Sequence, residues 1–189
     1  MGNRPVIAAD EVAVALMEEE AARYFGNKGI TTCTFFSGNS VSAAAEIKSK
    51  LCDMLIANPW VAGRLATKTV LVHPQAGGGH WVDSIFTVKH ATDADCVKIT
   101  PTASSFEDLT NACWPLGVPD GDALVETGAR VTRCILVAGA GASSPADGFA
   151  LIFSMSHIVA DGFTYATMKV FLSMKFRIFL LMRCLVVVF

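Results

Sequence analysis

A histidine, an aspartate and a glycine stand close together towards the C-terminal end of the 189-residue chain. His157 is followed four and five residues later by Asp161 and Gly162. An imidazole can take up and return a proton near neutral pH, and a nearby carboxylate can orient it. The spacing thus suggests a general base with an orienting neighbour. A single histidine at a strand end is more often structural, however, because geometry and pKa decide whether it acts as a base.

The residues around this trio predict the elements that position it. Residues 149–155 (FALIFSM) are an apolar run, too short to cross a membrane and rich in types that suit a buried, pleated surface, so we expect a core strand. Asp161 can accept backbone N–H bonds and Gly162 tolerates unusual backbone angles, which predicts a turn or helix start. A helix is expected at 164–174, packed behind the strand.

The pattern His-x-x-x-Asp-Gly after an apolar strand resembles the active-site motif of a large acyltransferase superfamily. This superfamily includes chloramphenicol acetyltransferase, the condensation domains of peptide synthetases and plant-type acyl-CoA-dependent transferases. Residues 59–65 (PWVAGRL) carry a second resemblance, since a proline, an apolar pair and Ala-Gly-Arg-Leu follow a predicted helix and precede a predicted strand. The two motifs agree in order and approximate separation with the family. We interpret Arg64 as a structural residue.

The resemblance implies an α/β chain with the two-layer half-fold of the chloramphenicol acetyltransferase type, in which helices flank a mixed or antiparallel sheet. It implies transfer of an acyl group from a thioester such as acyl-CoA to a hydroxyl or amine of a small molecule. His157 would be the general base, Asp161 would support the site structurally, and Gly162 would leave room for a substrate. The thioester would be a co-substrate, with no permanently bound cofactor. Ser156 replaces the second histidine of condensation domains, which argues against that branch.

In this family the catalytic histidine lies between two similar halves, and the second half contributes to the acyl-donor tunnel. The chain ends soon after the motif, so residues 1–174 are predicted to be the N-terminal half-domain and 175–189 a truncated or aberrant apolar continuation. A second half-domain or a homo-oligomer is the expected protein partner. The alternative is a catalytically inactive half-domain that binds a protein through its apolar C-terminal surface. Membrane association is disfavoured because Arg183 interrupts the final apolar run.

Composition and residue spacing narrow the possible ligands and the expected cellular location. The net charge of −2 provides no basic surface for nucleic acid. The six cysteines include no C-x-x-C pair, which favours reduced, buried thiols, and the first residues lack a secretion-signal pattern, so we expect a cytoplasmic protein. His73 and His80 have no matching carboxylate or thiol pattern, so no metal site is predicted.

The rest of the chain predicts alternating helices and strands. Gly77, Gly78 and Gly79 lack the spacing of a phosphate-binding loop and are interpreted as a hairpin turn between strands 69–73 and 81–89. The segment 114–122 is interpreted as a loop. The other predicted elements are a helix at 6–25, a strand at 31–36, a helix from Ser40 or Ser42 to 56, and strands at 96–100 and 131–137, the last of them an antiparallel neighbour of 149–155.

Overall fold

A computed structural model describes residues 6–103, 105–141, 148–173 and 185–187. The described residues form eight strands: β1 (Glu11–Ala15), β2 (Ile30–Ser37), β3 (Arg64–Thr67), β4 (Val70–Pro74), β5 (Phe86–His90), β6 (Thr132–Ala138), β7 (Gly148–Met155) and β8 (Leu185–Val187). They also form six α-helices: α1 (Glu18–Tyr24), α2 (Ser40–Ala57), α3 (Gly79–Val82), α4 (Phe106–Cys113), α5 (Gly121–Thr127) and α6 (Gly162–Ser173). Short 3-10 helices occur at Pro59–Ala62 and Trp114–Leu116.

The strands form one large and one small sheet. The larger sheet has the order β5-β6-β7-β2-β8, and the smaller has the order β1-β4-β3. Strand β5 runs parallel to β6, whereas β7 is antiparallel to both of its neighbours, β6 and β2. The mixed sheet and flanking helices confirm the predicted fold class. The expected pairing of 131–137 with 149–155 is also confirmed.

Strand β7 is the centre of the core, and all eight of its residues are buried. Because side chains alternate across a strand, β7 contributes to two apolar clusters, one on each face of the sheet. Phe149, Leu151, Phe153 and Met155 face helices α2 and α6, and Ala150 and Ile152 face helix α4. The predicted strand at 149–155 is therefore confirmed, and its apolar run is continuous because both faces are covered.

The predicted helix at 6–25 is wrong in its first half. Residues 11–15 form β1, which pairs with β4, and only Glu18–Tyr24 is helical. The alanine-rich sequence favours a helix locally, but the distant partner strand overrides this weak preference. A partly buried ion pair adds to the pairing: the Arg64 guanidinium lies 2.8 Å from the Glu11 carboxylate. This contact supports the structural role predicted for Arg64.

The predicted hairpin at Gly77–Gly79 is also wrong. Strands β4 and β5 belong to different sheets, and the short helix α3 lies between them. The backbone at Gly77 instead packs against the backbone of Leu55, near the end of α2. A glycine cluster is typical of a tight turn, but it also occurs where two backbone segments pack closely. The sequence does not distinguish the two because each favours a residue without a side chain.

Three further predictions, each about a short segment or a helix cap, differ from the structure. Residues 96–98 form a turn, and residues 99 and 100 belong to no strand; Cys96 and Ile99 are buried. Helix α2 is capped by Asn39, whose Oδ1 accepts the N–H groups of residues 41 and 42, and not by a serine. The segment interpreted as a loop at 114–122 contains the start of α5, because the Asp120 side chain caps that helix by accepting the Ala123 N–H at 3.0 Å.

Four of the described cysteines, Cys52, Cys96, Cys113 and Cys134, are free thiols. Cys33, Cys96, Cys113 and Cys134 are buried, and Cys52 is partly buried. None of the helices in the described ranges is long and apolar enough to cross a membrane. Those ranges also contain no group of three or more side chains suited to hold a metal ion. The predicted apolar segment 175–189 lies outside the described residues apart from 185–187, which form β8 and pair with β2.

Candidate active site

A tight turn carries the chain from the end of β7 into the loop that holds His157. Ser156 is buried, and its N–H donates to the carbonyl of Val131 at 2.8 Å. Its own carbonyl accepts the Ala160 N–H at 3.2 Å, and its Oγ accepts the Ile158 N–H at 3.3 Å. Ser156 thus anchors both sides of the histidine, and the position of His157 is set by backbone bonds rather than by its own side chain.

The imidazole of His157 is partly buried at this turn. Burial lowers the pKa of His157, because the surrounding protein disfavours the charged imidazolium. The ring is therefore neutral at physiological pH, which is the state that can accept a proton. Its ring lies against the ring of Tyr24, with centroids 5.5 Å apart and planes inclined by 17°.

Asp161 is exposed and is directed to the start of helix α6. Its Oδ1 accepts the Thr164 N–H at 2.7 Å, and its carbonyl accepts the Tyr165 N–H at 3.0 Å. The bond from the Thr164 backbone lowers the pKa of Asp161, so the carboxylate is ionised at neutral pH. In the described part of the chain, this carboxylate has no ion pair and no hydrogen bond to His157. Its visible role is to cap the helix.

Gly162 is the first residue of α6, which confirms the helix predicted after the motif. A Cβ built at this position meets no heavy atom within 4 Å in the described structure. Close packing of the chain therefore does not require glycine here. The next residue, Phe163, is 80% exposed.

Helix α6 is fixed to the sheet beneath the site by a buried tyrosine. The Tyr165 hydroxyl donates to the carbonyl of Phe153 at 2.7 Å, and it lies 2.7 Å from the Thr32 hydroxyl. The rings of Phe153 and Tyr165 are also in contact, with centroids 5.3 Å apart. These contacts attach α6, which follows the motif, to β7, which precedes it, and to β2.

The cap at Asp161 leads to a prediction about stability. Replacing Asp161 with alanine should lower the melting temperature by about 2–4 °C, the usual effect of losing one helix cap in a domain of this size. Asp161→Asn should melt close to the unsubstituted chain, because the amide oxygen can accept the same Thr164 N–H. Thermal unfolding followed by circular dichroism measures both. If the melting temperature falls equally in both variants, then the negative charge of Asp161 stabilises the helix, and the hydrogen bond to the Thr164 N–H does not.

Structural relatives agree with this architecture. The chain is similar to TRI101 of F. sporotrichioides, solved with coenzyme A and T-2, with 14% sequence identity and a TM-score of 0.55 over 86% of this chain and 40% of that chain. It is similar to the TRI3 trichothecene 15-O-acetyltransferase of Fusarium sporotrichioides, with 11% identity, a TM-score of 0.51, and coverage of 86% and 34%. It is also similar to the starter condensation domain of rhizomide synthetase RzmA, with 12% sequence identity and a TM-score of 0.50 over 86% of this chain and 38% of that chain. No protein-family model and no curated protein matches the sequence.

These similarities establish the fold. The chain has the chloramphenicol acetyltransferase-like architecture shared by acyltransferases and condensation domains, as the sequence predicted. It spans 40% or less of the length of the three relatives. At identities this low the similarity concerns the fold alone.

Tyr24 is a residue of the candidate site that the sequence did not indicate. It lies in the last turn of α1, within the segment 6–25 for which the sequence predicts only a helix. Nothing in the spacing of residues near His157 connects the two positions. The only signal available was an aromatic residue next to Phe25-Gly26, where the helix ends.

Proposed function

We propose that this chain is the motif-bearing N-terminal half of an acyltransferase. It would transfer an acyl group from a thioester such as acyl-CoA to a hydroxyl or amine of a small molecule. The observation that carries the proposal is the partly buried His157, whose lowered pKa keeps it neutral at the end of the central strand. The fold supports it, since TRI3 is a 15-O-acetyltransferase and TRI101 was solved with coenzyme A.

The reaction needs one base that also returns the proton. As the acceptor oxygen or nitrogen attacks the thioester carbonyl, His157 Nε2 takes the acceptor's proton. The tetrahedral intermediate then collapses, the C–S bond breaks, and the imidazolium gives the proton to the leaving thiolate. The products are the acylated acceptor and the free thiol, and His157 returns to its neutral form. A positioned base of this kind contributes roughly 10² to 10⁴ in rate.

The other residues of the motif support this base. Asp161 holds the start of α6 in place through its bond to the Thr164 N–H. Gly162 leaves space beside the backbone for donor or acceptor, in keeping with the open surroundings of its Cβ position. The acyl thioester is a co-substrate, and a second half-domain, or a second copy of the chain, is the protein partner that would complete the site. We also propose a cytoplasmic location, a reducing compartment in which the thiols of Cys52, Cys96, Cys113 and Cys134 would stay reduced.

The test is acceptor-dependent release of a thiol. Acetyl-CoA is incubated with the chain, or with the longest natural protein that contains it, and a panel of alcohols and amines, while a chromogenic reagent follows the thiol. We expect release only when an acceptor is present. Because the base must be neutral and burial lowers the pKa of His157, the rate should fall on the acid side with a midpoint below about 6.5, the ordinary histidine value.

Three results would contradict this proposal. Thiol release that does not depend on the acceptor would be hydrolysis rather than transfer. An acid-side midpoint above the ordinary histidine pKa would mean that another base controls the rate, or that the pKa of His157 is raised rather than lowered. If no acceptor is acylated and the protein instead captures a folded partner, the inactive interaction module is the better description.

A further inference from the structure

The ring of His157 is held by an aromatic contact and not by a hydrogen bond. Its centroid lies 5.5 Å from that of Tyr24, and the two planes are inclined by 17°. Among the described residues, neither ring nitrogen has a hydrogen-bond partner. A working histidine is usually oriented by a hydrogen bond to its second nitrogen. The orientation of this imidazole must therefore come from something else, and the Tyr24 ring is the group in contact with it.

The two stacked residues are anchored in the same apolar cluster. Phe25, next to Tyr24, is buried in a cluster with Val118, Leu124 and Val131. Ile158 and Val159, which follow His157, pack against this same cluster. Both ends of the aromatic contact are thus tied to one packed unit.

A second contact fixes the end of α1. The Gly121 N–H donates to the carbonyl of Phe25 at 2.8 Å, and the Phe25 ring packs where a Cβ on Gly121 would stand. Because Gly121 begins helix α5, the position of Tyr24 is set by two helices that meet. Close packing of this kind limits movement of the tyrosine ring.

The geometry also leaves the nitrogens of His157 available. The lone pair and the N–H bond of an imidazole lie in the ring plane, whereas a nearly parallel neighbour covers a face. Tyr24 can therefore restrict the rotation of the ring without competing for either nitrogen. A hydrogen-bonding partner would hold the ring equally well but would occupy one of them.

We propose that Tyr24 is a positioning residue, which holds the imidazole plane of His157 so that one nitrogen faces the acceptor. This inference rests on the proposed function. Tyr24 itself exchanges no proton with the substrate and acts through His157. Its contribution is the ring face rather than the hydroxyl, so a phenylalanine should serve as well.

The charged groups around this pair do not explain the properties of His157. On α1 the charged neighbour is Arg23, whose guanidinium carbon lies 5.6 Å from the Tyr24 centroid. On the histidine's own loop it is Asp161, whose carboxylate is bound to the Thr164 N–H. Burial is what lowers the pKa of His157, and Tyr24 is part of what buries it. Removing the tyrosine ring should therefore raise that pKa towards its ordinary value.

The experiment compares Tyr24→Phe with Tyr24→Leu in the active protein. The first keeps the ring and removes the hydroxyl, and the second removes the ring but keeps an apolar side chain. Rates are measured with acetyl-CoA, and the His157 ring protons are titrated by NMR, with His157→Gln identifying their signals. Tyr24→Phe should retain kcat within about 3-fold, whereas Tyr24→Leu should lower it about 10- to 100-fold with KM nearly unchanged. The upfield ring-current shift of His157 should persist in the first variant and disappear in the second.

The outcomes separate this inference from the function on which it rests. Full kcat in Tyr24→Leu, with the ring-current shift lost, would overturn positioning and leave the acyltransferase proposal intact. A loss of kcat in Tyr24→Phe equal to that in Tyr24→Leu would overturn the role of the ring face. An inactive unsubstituted protein would overturn the proposed function, and the positioning role with it. If Tyr24→Leu unfolds at the assay temperature, Tyr24→Met is the second ring-free variant, and the same criteria apply.

Discussion

Replacing His157 with alanine should lower acyl transfer at least about a hundredfold while the chain remains folded. The loss follows from removing the base that takes the acceptor's proton, since in the described structure no hydrogen bond or ion pair joins another ionisable side chain to the imidazole. The Tyr24 ring stacks on the face of the imidazole and leaves the proton transfer to the imidazole nitrogen.

The fold should survive because the turn does not depend on this side chain. Ser156 and the backbone make the hydrogen bonds that close it. The imidazole contributes an aromatic contact worth about 0.5–1.5 kcal/mol, so a small loss of stability is expected. Acetyl-CoA-dependent acylation and thermal unfolding are measured in parallel.

A second histidine provides the matched control. His90 ends strand β5 and is exposed, so His90→Ala makes the same chemical change away from the site. It should leave both rate and melting temperature nearly unchanged. Should His157→Ala transfer acyl groups as well as His90→Ala, or lose activity only by unfolding, then His157 is a structural histidine and the proposed function fails.

The sequence predicted those parts of the fold that depend on local pattern. The apolar run of β7 and the helix that starts at Gly162 could be recognised because burial on both faces and helix capping leave signals within a few residues. The His-x-x-x-Asp-Gly spacing of His157, Asp161 and Gly162 could be recognised in the same way. All of these features are properties of one short segment.

The features that the sequence did not predict depend on contacts between residues distant in sequence. Strand β1 exists because β4 pairs with it and because Arg64 reaches Glu11, and neither fact can be inferred from an alanine-rich stretch. The stack of Tyr24 on His157 likewise joins two residues that are far apart in the sequence. Pattern can indicate which residue is able to act as a base. It does not show which side chain holds that base in place.

The direction of the Asp161 carboxylate illustrates a related ambiguity. A carboxylate four residues after a histidine is equally suited to orient the imidazole or to accept backbone N–H groups at a helix start. The structure shows the second arrangement, with the bond to Thr164. Asp120 shows the same arrangement, since this residue of the segment interpreted as a loop caps helix α5. In both cases the same acceptor chemistry serves turns and helix ends, and only the path of the following chain distinguishes them.

The three consecutive glycines lead to the largest expected effect on stability. Gly77→Ala should destabilise the chain by about 3 kcal/mol or more, because the new Cβ would overlap the backbone carbonyl of Leu55 and two packed segments would have to separate. Backbone angle is not the cause, since Gly77 is not among the described glycines with positive φ. The cost arises from space alone. Leu55 lies on α2, which packs against the face of β7, so the strain is applied to the main core.

Gly78→Ala is the matched control for this prediction. Gly78 has φ −178°, which is extended backbone that any residue adopts, and the nearest atoms to its added Cβ belong to the His80 side chain at 3.3 Å and 3.4 Å. A side chain can turn away where a backbone carbonyl cannot, so this variant should unfold within about 1 kcal/mol of the unsubstituted chain. Denaturant unfolding with a shared m-value measures both variants.

The same pair of variants decides what the glycines do. If their backbone N–H groups bound a phosphate of the acyl donor, Gly78→Ala would raise KM for acetyl-CoA and have little effect on stability. We expect the opposite: a large loss of stability confined to Gly77→Ala, and an unchanged KM in Gly78→Ala. Equal stability of the two variants would show that the loop moves away from Leu55 at no cost, which would remove the close backbone contact as the reason for glycine at position 77. The outcome therefore distinguishes a packing requirement from a binding loop, two roles that look alike in the sequence because each excludes a side chain.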